Sequence, residues 1–381
     1  MKKTFIYAYL AQNLGDDLMV RILCQRYPYI QFRIYAAKEY RKIFSDITNL
    51  QICSWEDRKA KFWDYFWEKV GNRESGYWKM LIRLSYGVIH VGGSSFTQHE
   101  DDFEELVQAD ERLRNLSKRL YVLGVNFGPY SNEEYYKRYD KLFSQYDGVT
   151  FRDQFSYKLF SHLQNVRLAP DIVFNYPVKI KRYKVKKQVL FSVIELKRRN
   201  GKYALNQWCE TYEVFIAKMA ETVIEMGYQV VFIGFCKMQG DMDAIESIKG
   251  RISNGGNGNI ESYCYSGDFE KCMKLFEESE RIVGTRFHSI ILGWLFQKKV
   301  LPIIYDDKTR NLMEDNEYKI FLEFEDLKFV DSREVFNKMQ RLPEEKLRIL
   351  KRDAEKQFWA VDGLFEKNRK KEGRINGRTF N

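Results

Sequence analysis

The chain has 381 residues, 44% hydrophobic and 16% aromatic, and carries a net charge of +10. That composition excludes a disordered chain, and the length exceeds one ordinary core, so two domains of roughly 150 to 200 residues are predicted. No run approaches the roughly 18 to 20 apolar residues of a membrane span, and the opening MKKTFIYAYLAQNLGDD passes from a short apolar patch into polar sequence without a small-residue cleavage site. It reads as a first strand, and a soluble, cytoplasmic protein is expected.

Six scattered cysteines (Cys24, Cys53, Cys209, Cys236, Cys264, Cys272) form no C-x-x-C pair and have no histidine at ligand spacing. Neither a zinc site nor a disulfide framework is expected, and no metal is assigned. The four histidines (His90, His99, His162, His288) are few enough for each to be weighed as an acid or base. The positive charge is uneven: residues 179–202 hold ten Lys or Arg against one Glu, and residues 336–381 hold thirteen against seven acids. Such blocks suit phosphates, anionic lipid or nucleic acid, or are simply solvated faces.

From the N-terminus, Lys3 to Tyr9 is a predicted buried strand, followed by a turn at Gln12 to Asp17 and a helical spacing over Leu18 to Tyr27. In open parallel sheets, a loop at the carboxyl end of a strand is where ligands bind. Asn13 and Asp16 therefore either contact substrate or cap the helix, with Gly15 giving the turn. Residues Trp55 to Tyr86 gather four of the seven tryptophans (Trp55, Trp63, Trp67, Trp78) among Lys, Arg and Glu. An amphipathic helix there could rest on a membrane surface, present rings to a sugar, or pack internally.

Tyr86 to Val91 is a further strand ending in Gly92-Gly93-Ser94-Ser95, where the glycines admit a close ligand and the serines can cap a helix or bind an oxyanion. Helix Phe103 to Arg119, strand Leu120 to Val125, the break at Asn126 to Pro129, helix Glu133 to Gln145 and strand Gly148 to Phe151 follow. A helix beginning at Arg152 runs through His162, and Val166 to Leu168 leads into Ala169-Pro170-Asp171. Neither His99 nor His162 has neighbours in sequence that suggest a site. This alternation predicts a doubly wound sheet.

The basic stretch from residue 179 to 188 is expected to connect two lobes, 1–178 and 189–335. In the second, strands at Val189 to Leu196, Gln229 to Gly234, Arg281 to Val283 and Val300 to Ile304 alternate with helices at Leu205 to Met226, Asp241 to Lys249 and Phe269 to Ser279. Ser253 to Asn259 is loop, and residues 336–381 form a helical basic tail. The expected fold is α/β: two Rossmann-like doubly wound lobes, GT-B-like, with a C-terminal helical segment and the ligand in the cleft.

Within the second lobe lies ERIVGTRFHSII, residues 280–291. An apolar strand reaches a glycine, and Thr285, Arg286, Phe287 and His288 open a buried helix. Unpaired backbone N–H groups and the helix dipole favour an anion there. In the plainer alternative, His288 caps the helix or fills a core contact and Arg286 is a surface cation.

The chain resembles the polysaccharide pyruvyl transferase family in N-x-G-D (Asn13 to Asp16), the Gly92 loop, G-x-x-x-G-P (Gly124 to Pro129), R-D-x-x-S (Arg152 to Ser156), A-P-D (Ala169 to Asp171) and T-R-F-H (Thr285 to His288). Pro302, Tyr305 and Lys308 follow at a matching distance, so the resemblance covers roughly residues 4 to 310. It implies transfer of pyruvate from phosphoenolpyruvate, a co-substrate, to two hydroxyls of a sugar, giving a cyclic ketal and phosphate with no cofactor.

On that resemblance, Arg286 binds the donor phosphate or carboxylate as a fork, with Thr285 and Phe287 beside it, and His288 is the general acid/base. A second donor-binding cation falls on Lys197 or Arg198. Asn13, Asp16, Gly92, Gly93, Ser94, Asn126 and Arg152 form cleft or acceptor loops. The acceptor is a sugar or lipid-linked oligosaccharide of a capsule or exopolysaccharide, and the aromatic Trp55 to Trp78 segment and the basic tail are expected to hold the protein near it by a peripheral contact with the inner membrane surface. A GT-B glycosyltransferase using a nucleotide sugar is the alternative. Nucleic-acid binding is not expected, because the basic blocks lack stacking aromatics and no binding motif appears.

Overall fold

The computed structural model describes residues 3–69, 75–178, 183–253 and 259–366. It contains two parallel sheets, each covered by helices on both faces. In the first lobe the strands are β1 (Thr4–Tyr7), β2 (Phe32–Tyr35), β3 (Leu50–Cys53), β4 (Val88–Val91), β5 (Leu120–Val125), β6 (Gly148–Phe151) and β7 (Val166–Leu168), in the order β3-β2-β1-β4-β5-β6-β7. In the second they are β8 (Gln188–Ser192), β9 (Gln229–Gly234), β10 (Ile260–Cys264), β11 (Arg281–Gly284), β12 (Lys299–Ile304) and β13 (Leu322–Glu323), ordered β10-β9-β8-β11-β12-β13. In both sheets the order reverses direction beside the first strand, at β1/β4 and at β8/β11. Parallel sheets of this kind open a ligand crevice at such switch points, beyond the carboxyl ends of the strands.

Central strands are continuous apolar runs because helices bury both of their faces. Every residue of β4, β5, β8 and β11 is buried. The strands absent from the sequence reading are β2, β3, β10 and β13. They are short, and β3 and β10 lie at sheet edges, where half-exposed residues dilute the apolar pattern.

Helix starts follow short polar side chains that accept from the exposed first-turn N–H groups. Asn132, Asp153, Asp306 and Asp331 cap the helices Glu133–Phe143, Gln154–Phe160, Asp307–Asp315 and Ser332–Lys338. Arg152 therefore lies before its helix rather than inside it. The predicted helix over Leu205 to Met226 is divided into a 3-10 turn at Asn206–Trp208 and the helix Cys209–Glu225.

The lobes meet along helix Leu14–Arg26. Leu14 N–H donates to the Phe235 carbonyl at 3.0 Å, and the Tyr265 hydroxyl donates to Asp17 Oδ2 at 2.8 Å. One apolar cluster runs through both lobes, with Leu18, Ile22 and Phe174 from the first and Phe276, Ile290 and Trp294 from the second.

After the second lobe the chain returns to the first. Helix Glu344–Ala354 packs there, and Gln357 accepts from Gly124 N–H at 2.9 Å while donating to the Ala169 and Pro170 carbonyls at 3.0 and 2.9 Å. Phe358, Val361, Leu364 and Phe365 are buried against the first lobe's core. At ~1.5–3 kcal/mol for each large apolar side chain removed from water, this segment is part of that lobe's core as much as a tail. The basic residues 367–381, residues 179–182 of the connection and 254–258 of the Gly/Asn loop lie outside the described residues.

Candidate active site

Between the lobes lies a cavity of about 730 Å³, lined from the first lobe by Tyr7, Asn13, Asp16, Gly92, Gly93, Ser94 and Arg152 and from the second by Arg199, Arg286, Phe287, His288, Tyr305 and Lys308. The loops after β1, β4 and β6 face those after β8, β11 and β12. Each lobe thus contributes the carboxyl ends of its central strands.

Helix Phe287–Leu295 directly follows β11 and Thr285-Arg286. All of its residues are buried except His288, which lines the cavity together with Phe287. An apolar helix of this kind is held in the core on every side, so its N-terminal end is fixed in place with its first N–H groups free of intrahelical partners. His288 Nε2 lies 3.7 Å from Oδ2 of Asp171 in the opposite lobe. The same Asp171 oxygen accepts from Arg152 Nη1 at 2.9 Å, and Arg152 Nη2 donates to Asn126 Oδ1 at 2.6 Å. Burial pushes the Asp171 carboxyl up, but His288 and Arg152 outweigh it and hold it down at about 2. Asp171 is therefore ionised and faces the imidazole at ion-pair distance, without a direct hydrogen bond, a position the sequence reading did not give it.

Asn126 does not line the cavity. It stands behind Arg152, bonded to Ser94 Oγ at 3.3 Å and to the Gly128 carbonyl at 3.3 Å. The Arg152 guanidinium in turn lies 4.1 Å over the Phe287 ring. Gly93 leaves room for Arg152, since a Cβ there would sit 3.0 Å from Nη1. Ser95 caps no helix; its hydroxyl lies 3.2 Å from Nε2 of His90.

Gly15 has a different use from the turn expected of it. It is the second residue of its helix, and a Cβ would stand 1.9 Å from Nδ1 of His288. The absent side chain lets the imidazole of one lobe rest on the backbone of the other. Asn13 caps the helix, its Oδ1 accepting from Gly15 N–H at 2.9 Å, and the residue also lines the cavity. Asp16, in the same first turn, faces inward. Its carboxyl is pushed up by burial against the opposing pull of His288, Arg152, Lys308 and Arg286.

The fork of Arg286 is already engaged. Nε donates to Asp241 Oδ2 at 3.1 Å, Nη2 donates to Asp241 Oδ1, and Nη1 donates to Gln239 Oε1 at 2.5 Å. Asp241 is itself fixed by the Phe235 and Cys236 N–H groups, at 2.8 and 3.0 Å. A bidentate grip on an anion by Arg286 is thus not available in this arrangement. The residue instead supplies a buried, fixed positive charge at the cavity wall. Thr285 faces away, with Oγ1 3.0 Å from the Tyr212 hydroxyl.

Neither Lys197 nor Arg198 lines the cavity. Both are exposed, and Arg198 pairs with Asp243 at 2.6 Å. The cation that points inward is the next residue, Arg199, whose Nε donates to the Glu195 carbonyl at 2.9 Å and whose guanidinium lies 5.4 Å over the Tyr305 ring. Three successive basic residues gave no sequence basis for choosing the third. Lys308 adds a further charge. Burial alone would lower its pKa, but Asp306, at 3.0 Å, raises it.

The first-lobe end of the cavity is more aromatic, with Tyr7, Tyr9, Tyr35 and Trp55 beside His90, His99 and Asp110. His99 therefore does belong to the cavity, although nothing near it in sequence indicates so. His162 does have a carboxylate neighbour, Asp140 at 2.8 Å, but on a surface away from the cavity. His90 is buried, which pushes its pKa down to about 4, and Asp110 is pushed up to about 7 by burial, tempered by the 2.6 Å bond from the Tyr139 hydroxyl. Among the described residues no group of His, Cys, Asp or Glu is arranged to hold a metal ion.

Comparison with known structures bears on the fold. The chain superposes on Anabaena Alr3699/HepE, solved with UDP, with a TM-score of 0.53, 10% identity and coverage of 96% of this chain and 100% of that one. It also superposes on the trehalose-6-phosphate synthase OtsA with a TM-score of 0.51, 12% identity and coverage of 96% and 99%. Both likenesses are to two-lobed GT-B architecture. In sequence, the chain is 23% identical over 282 residues to the amylovoran biosynthesis protein AmsJ of Erwinia amylovora, a match spanning 64% of this chain and 65% of the relative. A family model described as polysaccharide pyruvyl transferase matches residues 13–307, from the Asn13 cap to the start of the helix after β12, a range that holds most of the cavity lining of both lobes but not Tyr7, Tyr9 or Lys308. The chain belongs to the polysaccharide pyruvyl transferase family.

Proposed function

We propose that the chain transfers a pyruvyl group from phosphoenolpyruvate to two hydroxyls of a sugar in a bacterial surface polysaccharide or its lipid-linked precursor, at the cytoplasmic face of the membrane. The observation that carries this reading is the second-lobe wall, where Arg199, Arg286, Lys308 and a helix N-terminus surround His288. A donor with one phosphate and one carboxylate matches two anion sites set side by side. The first-lobe end, with its rings and neutral polar groups, suits a sugar acceptor.

In the reaction, C3 of the donor gains a proton and becomes the methyl group, and one sugar hydroxyl bonds to C2. The C2–O bond to phosphate breaks, and the second hydroxyl bonds to C2. Of the two hydroxyl protons, one matches that taken up at C3 and the other leaves with phosphate. His288, facing ionised Asp171, and Asp16, whose carboxyl holds its proton more readily than usual, are the two groups placed to move them. Arg199 and Lys308 hold the anionic leaving group, with no cofactor required.

The test is incubation with phosphoenolpyruvate and a panel of galactosides, glucosides and mannosamine derivatives. Phosphate release together with a new ketal methyl resonance is expected. Turnover of a nucleotide sugar alone would overturn the reading in favour of a glycosyltransferase on the same fold.

A further inference from the structure

Helix Arg58–Lys69 stands on the outside of the first lobe and packs against helix Gly76–Arg83. Its inner side is well fixed. Asp64 Oδ1 accepts from Ser75 Oγ at 2.9 Å and from Tyr77 N–H at 3.0 Å, Ala60 is fully buried, and Trp67 lies against Gly76, where a Cβ would sit 1.6 Å from the indole. The opposite side is left with large apolar rings in the open: Phe62 is 70% exposed, Tyr65 58% and Phe66 56%, with Trp63 at the margin at 36%. Solitary exposed apolar residues are ordinary, but a contiguous set on one helix face is not.

The charges of this helix are segregated as well. At 100° per residue, Arg58, Lys59 and Lys69 fall on the same side as Phe62, Tyr65 and Phe66, whereas Asp64 lies on the inner side and Glu68 beyond the margin. The outward face therefore carries rings bracketed by cations and no carboxylate. Lys69 Nζ lies 4.8 Å over the Tyr65 ring, so its stem follows the aromatic surface.

This face is one layer from the cavity. Trp55, three residues before the helix, lines the cavity. Trp78 of the supporting helix has its ring centre 6.4 Å from that of Tyr7, which also lines it.

We propose that helix Arg58–Lys69 docks on an anionic bilayer, with its rings in the headgroup region and Arg58, Lys59 and Lys69 against lipid phosphates, bringing the aromatic end of the cavity next to the membrane surface. Rings on the convex side of a helix suit a deformable interface better than a rigid sugar chain, which needs a concave platform. The cation-only face complements anionic headgroups, each contributing through the surface potential of the leaflet. Docking rests on this helix alone and does not depend on the pyruvyl-transfer reading.

The full chain is mixed with vesicles of phosphatidylcholine containing phosphatidylglycerol, and with phosphatidylcholine alone, at low and high salt, and sedimented. Binding is expected to the anionic vesicles at low salt, weakened by salt. The Phe62→Ser/Phe66→Ser variant is expected to lose ~10-fold or more in binding, and Arg58→Glu/Lys59→Glu to lose the anionic preference. Because these side chains are exposed, thermal unfolding of the variants should match the parent, as should turnover of a water-soluble acceptor. The proposal is overturned if the parent does not bind, if both variants bind like it, if an acidic polysaccharide competes with vesicles for the same face, or if the rings prove to mediate a dimer that the serine variant abolishes.

Discussion

Gly15→Ala tests the meeting of the two lobes. The added Cβ would lie 1.9, 2.7 and 2.8 Å from Nδ1, Cε1 and Cγ of His288, whereas ordinary contact begins near 3.4 Å, so the ring must retreat by about 1.5 Å. It has few ways to do so, because its helix is buried on every other side and its Nε2 faces Asp171 across the interface. A displacement of about 1 Å at a reacting group costs on the order of 100-fold in rate. A fall in kcat of about that size is expected. Stability should change little, since alanine gains up to ~1 kcal/mol over glycine in a helix and offsets part of the strain. The assay is phosphate release from phosphoenolpyruvate with a working acceptor, alongside thermal unfolding.

The nearest atoms to the new Cβ all belong to His288. In a His288→Ala background, whose own turnover should be lost with donor affinity largely kept, the alanine at Gly15 should therefore add no further loss, giving full coupling in a double-mutant cycle. Near-normal kcat in Gly15→Ala, or an equal additional loss in the double variant, would refute the close-approach argument.

Arg199→Ala should raise the KM for phosphoenolpyruvate by ~10- to 100-fold, corresponding to about 1.5–3 kcal/mol for a charge-assisted contact, while Arg198→Ala, whose partner is the surface residue Asp243, stays near the parent; equal effects would remove Arg199 from the donor site. Asp110→Asn bears on stability: the folded carboxyl, raised to about 7, stays protonated while the unfolded one ionises from near pH 4, so the parent loses stability as pH rises between those values. The variant should gain on the parent by ~1.4 kcal/mol per pH unit in that window, and thermal unfolding at pH 5 and pH 7 should show the gap widening; an unchanged gap would place the carboxyl's titration elsewhere.

Much of the fold was legible because its central strands are apolar on both faces. Ile89 and Val91, or Val122 and Leu123, need no partner to be recognised as buried. The edge strands were not, since Gln51 and Glu261 face solvent and interrupt runs of only a few residues. In the candidate site, Arg286 and His288 stood out through their place between a strand and a helix. What sequence could not supply was direction and partner. Nothing in Lys197-Arg198-Arg199 distinguishes the inward side chain, and the engagement of Arg286 by Asp241 joins positions 45 residues apart. Likewise, Asp171 reached His288 only once the lobes were packed together, and Asp110 acquired its unusual titration from burial beside Tyr139.

The chain passes between the lobes twice, once after Val178 and again between Met339 and Glu344, and the first-lobe segments that flank the two passages pack together: Asn175 Nδ2 donates to the Ala354 carbonyl at 3.0 Å. Two bodies joined at two neighbouring points cannot twist freely about a single tether. Their relative movement is reduced towards rotation about the line through both joints, like a door on paired pins. Any opening of the cavity must then swing His288 away from Asp171 and Gly15 along one arc, and closing returns it along the same arc. Alignment of the imidazole with the opposite lobe would thus be restored by geometry at each closure, without a search through orientations.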